Sequence, residues 1–203
     1  MSPKRSYASP LREQGASRTR ELILSRATQL FAARGYGRVT VADIASAAGV
    51  APKTVFASVG SKGDILNRIV DRGVAASGYA QVMESMTTLR TRETVLEALA
   101  RGTRAGNESQ FAVHEAIRKA LPVHEDGEML WERATAAYRD ALHATARHLH
   151  TLDPPPALSV EKTADLLWYW FGPTGWSVLV GESGWTWDDA EEVLYRTAVS
   201  TLR

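Results

Sequence analysis

Five polar side chains between residues 40 and 62 have the types and spacing to bind an extended anion: Thr40, Lys53, Thr54, Ser58 and Lys62. Lys53, Thr54 and Ser58, with Ala57, lie opposite Val55 and Val59, which share one helical face at i, i+4. An outward Lys can meet guanine O6 and N7, and a Thr can meet a thymine methyl or a phosphate. A phosphate contact or a solvated charge is an equally open reading of Lys53, since about half to two-thirds of protein–DNA hydrogen bonds go to the backbone. Thr40 and Lys62 stand at expected helix starts, where free amides and the helix dipole favour an anion. Phosphate contact is expected of both, with Thr40 also capping its helix.

The elements that must hold these groups are short and well marked. Thr40 precedes an apolar-periodic run, and Asp43 follows three residues later as in a capping box. Val41, Ile44, Ala45 and Ala48 then form one buried stripe. Gly49 falls where a left-handed C-cap belongs, and Pro52 suits the first turn of the next helix. Ser61 and Asp64 repeat the capping box and open a third helix. Two short helices around a Gly-containing turn are the sequence form of a DNA-binding helix-turn-helix, whose second helix enters the major groove.

Residues from about Ser17 to Leu66 resemble the DNA-binding domain of the tetracycline-repressor (TetR) family of bacterial regulators. The matching pieces are Leu30-Phe31-Ala32-Ala33-Arg34-Gly35-Tyr36, Thr40-Val41-Ala42-Asp43-Ile44-Ala45, Gly49-Val50-Ala51-Pro52-Lys53-Thr54-Val55-Phe56 and Ser61-Lys62. Carried across by position, the resemblance implies DNA contacts at Thr40, Lys53, Thr54, Phe56, Ser58 and Lys62. The chain departs from the family at three places. Phe56 replaces a frequent Tyr and lacks its hydroxyl, so it packs on a sugar edge or thymine methyl, or turns into the core. Ser58 stands where His or Phe is common, and Ala51 replaces a frequent N-cap Ser, a loss of ~1 kcal/mol at a cap.

The charge distribution agrees with a DNA partner. The 24 basic and 23 acidic residues nearly balance at +1. Residues 1–72 nonetheless hold 12 Lys and Arg against 5 Asp and Glu, and residues 73–203 hold 12 against 18. The basic half is the half with the helix-turn-helix. No cysteine is present, which excludes disulfides, thiolate nucleophiles and Cys-based zinc sites. Met1-Ser-Pro-Lys-Arg-Ser6 has no apolar run after its charges, so no secretory signal is expected. Ala164 to Val180 contains Asp165 and is broken at Gly172-Pro173, short of the ~20 apolar residues of a membrane span. A cytoplasmic protein without a membrane partner is expected. No G-x-S-x-G, P-loop, G-x-G-x-x-G or H-E-x-x-H pattern occurs, so no catalytic residue, cofactor or metal ligand is assigned.

The expected fold is all-α, with about nine helices in two parts: an N-terminal three-helix DNA-binding domain and a C-terminal helical ligand-binding and dimerisation domain. Residues 1–16 read as a flexible basic arm, 17–66 as the helix-turn-helix domain and 67–203 as the effector-binding and dimerisation domain. The third helix of the motif should continue from Ser61 to about Met86. Breaks are expected near Thr91, across Gly102 to Gly106, at Leu121-Pro122, Asp126-Gly127 and Asp153-Pro154-Pro155-Pro156, and at Gly181 to Gly184. Pro173 should kink its helix.

The resemblance implies a ligand-responsive regulator, most simply a repressor, that binds a palindromic double-stranded operator as a homodimer and is released by a small molecule. Its last two helices would pair with their copies, with half-sites ~34–36 Å apart. Ala164, Leu167, Trp168 and Phe171 form one apolar face, and Ala190, Val193, Leu194, Thr197, Ala198 and Leu202 form another behind the Thr186/Asp189 capping box. Five of the six tryptophans fall between Trp168 and Trp187. Trp131, Tyr138, Trp168, Phe171 and Trp176, with His114 as a polar contact, are candidates to line a pocket for an aromatic or apolar effector. The plainer reading makes the same side chains core and interface. His143 and His150 share a face without a nearby acidic metal ligand, so solvated surface histidines are expected. The alternative function is an all-α small-molecule-binding or catalytic dimer whose helix-turn-helix no longer reads DNA.

Overall fold

A computed structural model describes residues 10–76 and 86–203. Every regular element among them is a helix. They are α1 (Pro10–Arg34), α2 (Val41–Ala48), α3 (Pro52–Val59), α4 (Lys62–Ala75), α5 (Arg92–Arg118), α6 (Gly127–Leu149), α7 (Val160–Phe171), α8 (Pro173–Trp176) and α9 (Trp187–Thr201). A 3-10 turn, Tyr36–Arg38, links α1 to α2, and α8 runs on as a π-helical stretch, Ser177–Glu182.

Side chains buried at helical spacing join these elements into two cores. The first gathers Ile23 and Phe31 of α1, Ile44 of α2, Val55 of α3 and Ile65 of α4, all with no exposed surface. Ala116 and Ile117 at the end of α5, Ala120 just beyond it and Leu130 of α6 complete it. The second joins Leu96 of α5, Tyr138 and Ala146 of α6, Leu167 and Phe171 of α7, Trp176 and the α9 residues Leu194 and Ala198. Each Ile, Leu or Phe so buried stabilises by about 1.5–3 kcal/mol. α5, about 40 Å long at 1.5 Å per residue, enters both cores, so the helix-turn-helix is seated on the body through its C-terminal end.

The structure departs from the sequence reading at several boundaries. α1 starts at Pro10, inside the segment expected to be an arm. Pro suits a first turn, and the following Leu-Arg-Glu-Gln are strong helix formers. The rest of the expected arm, residues 1–9, lies outside the described residues. So does the expected continuation of α4 towards Met86 beyond Ala76. Gly102 and Gly106 do not break α5. Each Gly costs about 1 kcal/mol in a helix, but Leu99, Ala100, Thr103 and Asn107 are buried around them and packing outweighs propensity. Pro173 ends one helix and begins another rather than kinking a continuous one. Gly172 is extended (φ −69°, ψ 166°) and Pro173 takes the first turn of α8. Thr91, Asp126-Gly127 and the Pro154–Pro156 loop mark helix ends as read from sequence.

Candidate nucleic-acid interface

The two capping boxes are complete. Thr40 Oγ1 accepts from Asp43 N at 3.1 Å, and Asp43 Oδ2 accepts from Thr40 N at 2.8 Å. Ser61 and Asp64 repeat the geometry at 3.2 and 2.8 Å. The Thr40 hydroxyl and amide hold the Asp43 carboxyl below its ordinary range, with a smaller contribution from Arg34; Ser61 does the same to Asp64, aided by Arg68. Gly49 has the left-handed φ of 66° expected of it. Gly60 lies at φ 91°, ψ −152°, and a Cβ there would fall 2.5 Å from Asp64 Oδ2, so the α3–α4 turn requires glycine.

α3 presents the face expected of it. Val55 and Val59 are buried, and Lys53 and Ala57 are exposed. Thr54 and Ser58 are half-buried at the edges of that face. Phe56 is 55% exposed, so of its three readings the core one is overturned: its position on the helix, one residue past Val55, carries it away from the buried stripe. Lys53 makes no ion pair or hydrogen bond among the described residues, and α3 contains no acidic residue.

Ala51 gives α3 no side-chain cap, as its type requires. The opposite end is held instead. Arg20 Nε of α1 donates to the Ser58 carbonyl at 3.3 Å, and Arg68 Nε of α4 donates to the Val59 carbonyl at 3.1 Å. These are carbonyls of the last turn of an eight-residue helix, where cations also complement the dipole. Sequence reasoning missed both arginines. Arg20 is 38 residues from its partner, and only an outward basic residue near a helix end hinted at either.

Lys62 lies at the start of α4, but its ammonium turns inward. Nζ donates to the carbonyls of Tyr36 and Val39, each at 3.1 Å, and stands 4.2 Å from the centre of the Tyr36 ring. The side chain therefore ties α4 to the turn that leads into α2 and presents at most one further N–H to a phosphate.

The six residues read as possible pocket lining fall into two places. Tyr138 and Trp176 converge on Phe171 in the second core: the Tyr138 hydroxyl and Trp176 Nε1 (3.1 Å) both donate to the Phe171 carbonyl, and Asn107 Nδ2 donates to the Tyr138 hydroxyl at 2.9 Å. Trp168 packs edge-on to Tyr138 and carries the Arg139 guanidinium 4.0 Å from its ring centre. Trp131 lies against the first core beside His114, their ring centres 6.4 Å apart. His143, His148 and His150 are half-buried rather than solvated, with partners in Arg147, the Leu89 carbonyl and Thr163. Among the described residues no His, Asp and Glu group suits a metal ion, and no helix is long and apolar enough to cross a membrane.

A second surface feature lies across α7, α8 and α9. Tyr169 is 73% exposed, Val178 44% and Val193 40%. With Trp168, Trp170 and Leu179 they line an apolar groove of about 410 Å³.

Comparison with known proteins agrees with this geometry. The family of bacterial regulatory proteins, tetR family, matches residues 23–69. No curated protein matches the chain by sequence. Among solved structures the chain is similar to PfmR, a TetR family transcriptional regulator from Thermus thermophilus, at a TM-score of 0.70 and 18% identity over 91% of this chain and 95% of that one. It is similar to a regulator from Saccharomonospora viridis in complex with choline (TM-score 0.67, 22% identity, 88% and 94% covered). It also resembles the transcriptional regulator FadR from Bacillus subtilis in complex with stearoyl-CoA (TM-score 0.68, 15% identity, 90% and 99% covered). The family match covers the helix-turn-helix, and the structural likeness extends that agreement in fold along nearly the whole chain. Residues 23–69 thus carry the helix-turn-helix of the tetR family of bacterial regulatory proteins, and the chain as a whole has the fold of the solved TetR-family regulators.

Proposed function

We propose that this regulator is a repressor that binds a palindromic operator as a two-fold dimer and leaves it when a small molecule binds. The observation that carries the reading is the outer face of α3: an unpaired Lys53 with Thr54, Phe56 and Ser58, on a helix whose far end is held from both sides by Arg20 and Arg68. In this reading Lys53 and Thr54 meet base edges, and Phe56 lies on a sugar or a thymine methyl. Thr40 and the amide end of α4 at Lys62 meet phosphates. Residues 17–66 read the DNA, and residues 67–203 bind the effector and dimerise in the cytoplasm.

The apolar groove on α7, α8 and α9 supports dimerisation through the last helices, because exposed apolar surface of this kind is usually covered in use. An isologous pairing would bury each groove against its copy. Effector response suits a fold whose solved examples hold choline and stearoyl-CoA. An effector shifts the regulator only if it binds the DNA-free arrangement better than the DNA-bound one.

Fluorescence anisotropy on the DNA flanking the chain's own gene tests the reading. The wild type should prefer one two-fold symmetric site over random DNA, and Lys53→Ala should reduce that preference. Equal losses on cognate and random DNA would remove base readout from Lys53.

A further inference from the structure

A cleft of about 300 Å³ opens where α1, α4 and α5 meet. Its walls come from the helix-turn-helix unit on one side and the body on the other: Leu24 and Gln29 of α1, Ile69 and Arg72 of α4, Ser109 and Val113 of α5. No acidic residue lines it. Arg72 makes no ion pair or hydrogen bond among the described residues, and the oxygen of Gln29 is taken by Arg26 Nη1 at 3.1 Å, which leaves its amide N–H₂ to donate. Leu24, Ile69 and Val113 supply an apolar flank. The mouth is thus a cation and an amide donor beside aliphatic surface.

A second, smaller space lies behind the first. Gly73, Gln110 and Val113 line both. Gly73 and Val113 pack closely between the two spaces, since an added Cβ at Gly73 would stand 3.1 Å from Val113 Cγ1. The inner chamber has about 10 Å³, which suits one water-sized group. His114 lines it. This imidazole is only 8% exposed and makes no hydrogen bond among the described residues. Burial lowers its pKa to about 4, against the opposing pull of Glu115, so near neutral pH the ring is uncharged and meets a neutral donor or acceptor.

We propose that this cleft is a ligand site for a small organic anion. Arg72 and Gln29 hold the anionic head, and the aliphatic wall covers a short apolar body. The inference rests on the ligand-responsive reading, extends effector contact from residues 67–203 to α1, and places the response at the joint between the DNA-reading unit and the body. A molecule bridging α1 and α4 to α5 acts directly on the angle at which the helix-turn-helix is carried. Carboxylate and phosphate heads share the required chemistry, and the test separates them.

The test is isothermal titration of the full chain, without DNA, with hexanoate, hexyl phosphate and hexylamine, repeated on Arg72→Gln and Gln29→Leu. Both substitutions are at exposed positions, so folding is retained and is checked by circular dichroism. Hexanoate, hexyl phosphate or both should bind the wild type, with binding at least tenfold weaker in Arg72→Gln, several-fold weaker in Gln29→Leu, and absent for hexylamine. Binding of only one anion assigns the head group. Failure of both anions to bind, equal binding by wild type and Arg72→Gln, or equal binding of the amine overturns the proposal. Because no DNA is present, any of these results leaves operator binding untouched, and failure to bind DNA leaves the cleft's assignment untouched.

Discussion

The α2–α4 unit and the α7–α9 segment face the same problem, which is to fix short helices at defined angles, and they solve it differently. The first has its helix starts and turns set by contacts three residues apart, Thr40 with Asp43 and Ser61 with Asp64, and by glycines, with Arg20, Arg68 and Lys62 adding bonds to backbone carbonyls. The second is fixed from a distance: Tyr138 of α6 and Trp176 of α8 both donate to the last carbonyl of α7, an end group that the helix itself cannot satisfy. A unit stitched locally keeps its outer face free for a partner. A segment stitched through its core turns Trp170, Phe171 and Trp176 inward, and leaves Tyr169 and Trp185 at the surface with apolar neighbours.

The contrast can be broken most sharply at Trp176, which is fully buried. Trp176→Ala should cost about 3–5 kcal/mol in denaturant unfolding, and a loss below about 1 kcal/mol would show that the α7–α8 junction is not held by its core contacts. Acid should also separate the two regions. Folded His114 titrates at about 4, below the ~6.5 of an unfolded histidine, so between those values the unfolded chain takes up a proton that the folded chain does not. Stability should therefore fall by up to about 3 kcal/mol as pH drops from about 6.5 to about 4, and His114→Leu should flatten that slope. Asp43 and Asp64, with lowered pKa values, stabilise above the unfolded carboxylate range, and that contribution is lost only as pH falls through their folded values, below about 4. A wild-type curve level down to about pH 4 would contradict the order interior first, caps second.

Two smaller effects sharpen the same contrast. Tyr169→Asp on the exposed α7 face should yield monomers in sedimentation and weaken operator binding about a hundredfold, or ~2.7 kcal/mol, without lowering monomer stability. Retained dimers would put the interface elsewhere. Ser61→Ala should cost about 1 kcal/mol by removing one cap, read as a shift in the unfolding midpoint, and an unchanged midpoint would make the box ornamental.

What could be read from sequence followed the same division. The caps, Gly49, Pro52 and the inward valines of α3 were legible because each signal and its consequence lie within one turn. Arg20 and Arg68 were not, since their partners are carbonyls that only the tertiary arrangement brings near. Lys62 shows the limit within the motif itself: its position marks a helix start, yet its ammonium bonds to Tyr36 and Val39 carbonyls more than twenty residues away. In the body, Gly102 and Gly106 read as a break because propensity is local, whereas the packing that overrides it is not. The aromatic residues grouped by sequence as one pocket separate in space because Trp131 and Tyr138, on one face of α6, are two turns apart and reach different cores.

The central claim is that the exposed face of α3 reads DNA, and the salt dependence of binding to a selected operator tests it most directly. The account predicts a two-fold symmetric site whose affinity falls on the order of 10³-fold between about 50 and 200 mM salt, as expected for roughly six or more phosphate contacts across a dimer. Affinity indifferent to both salt and sequence would contradict it.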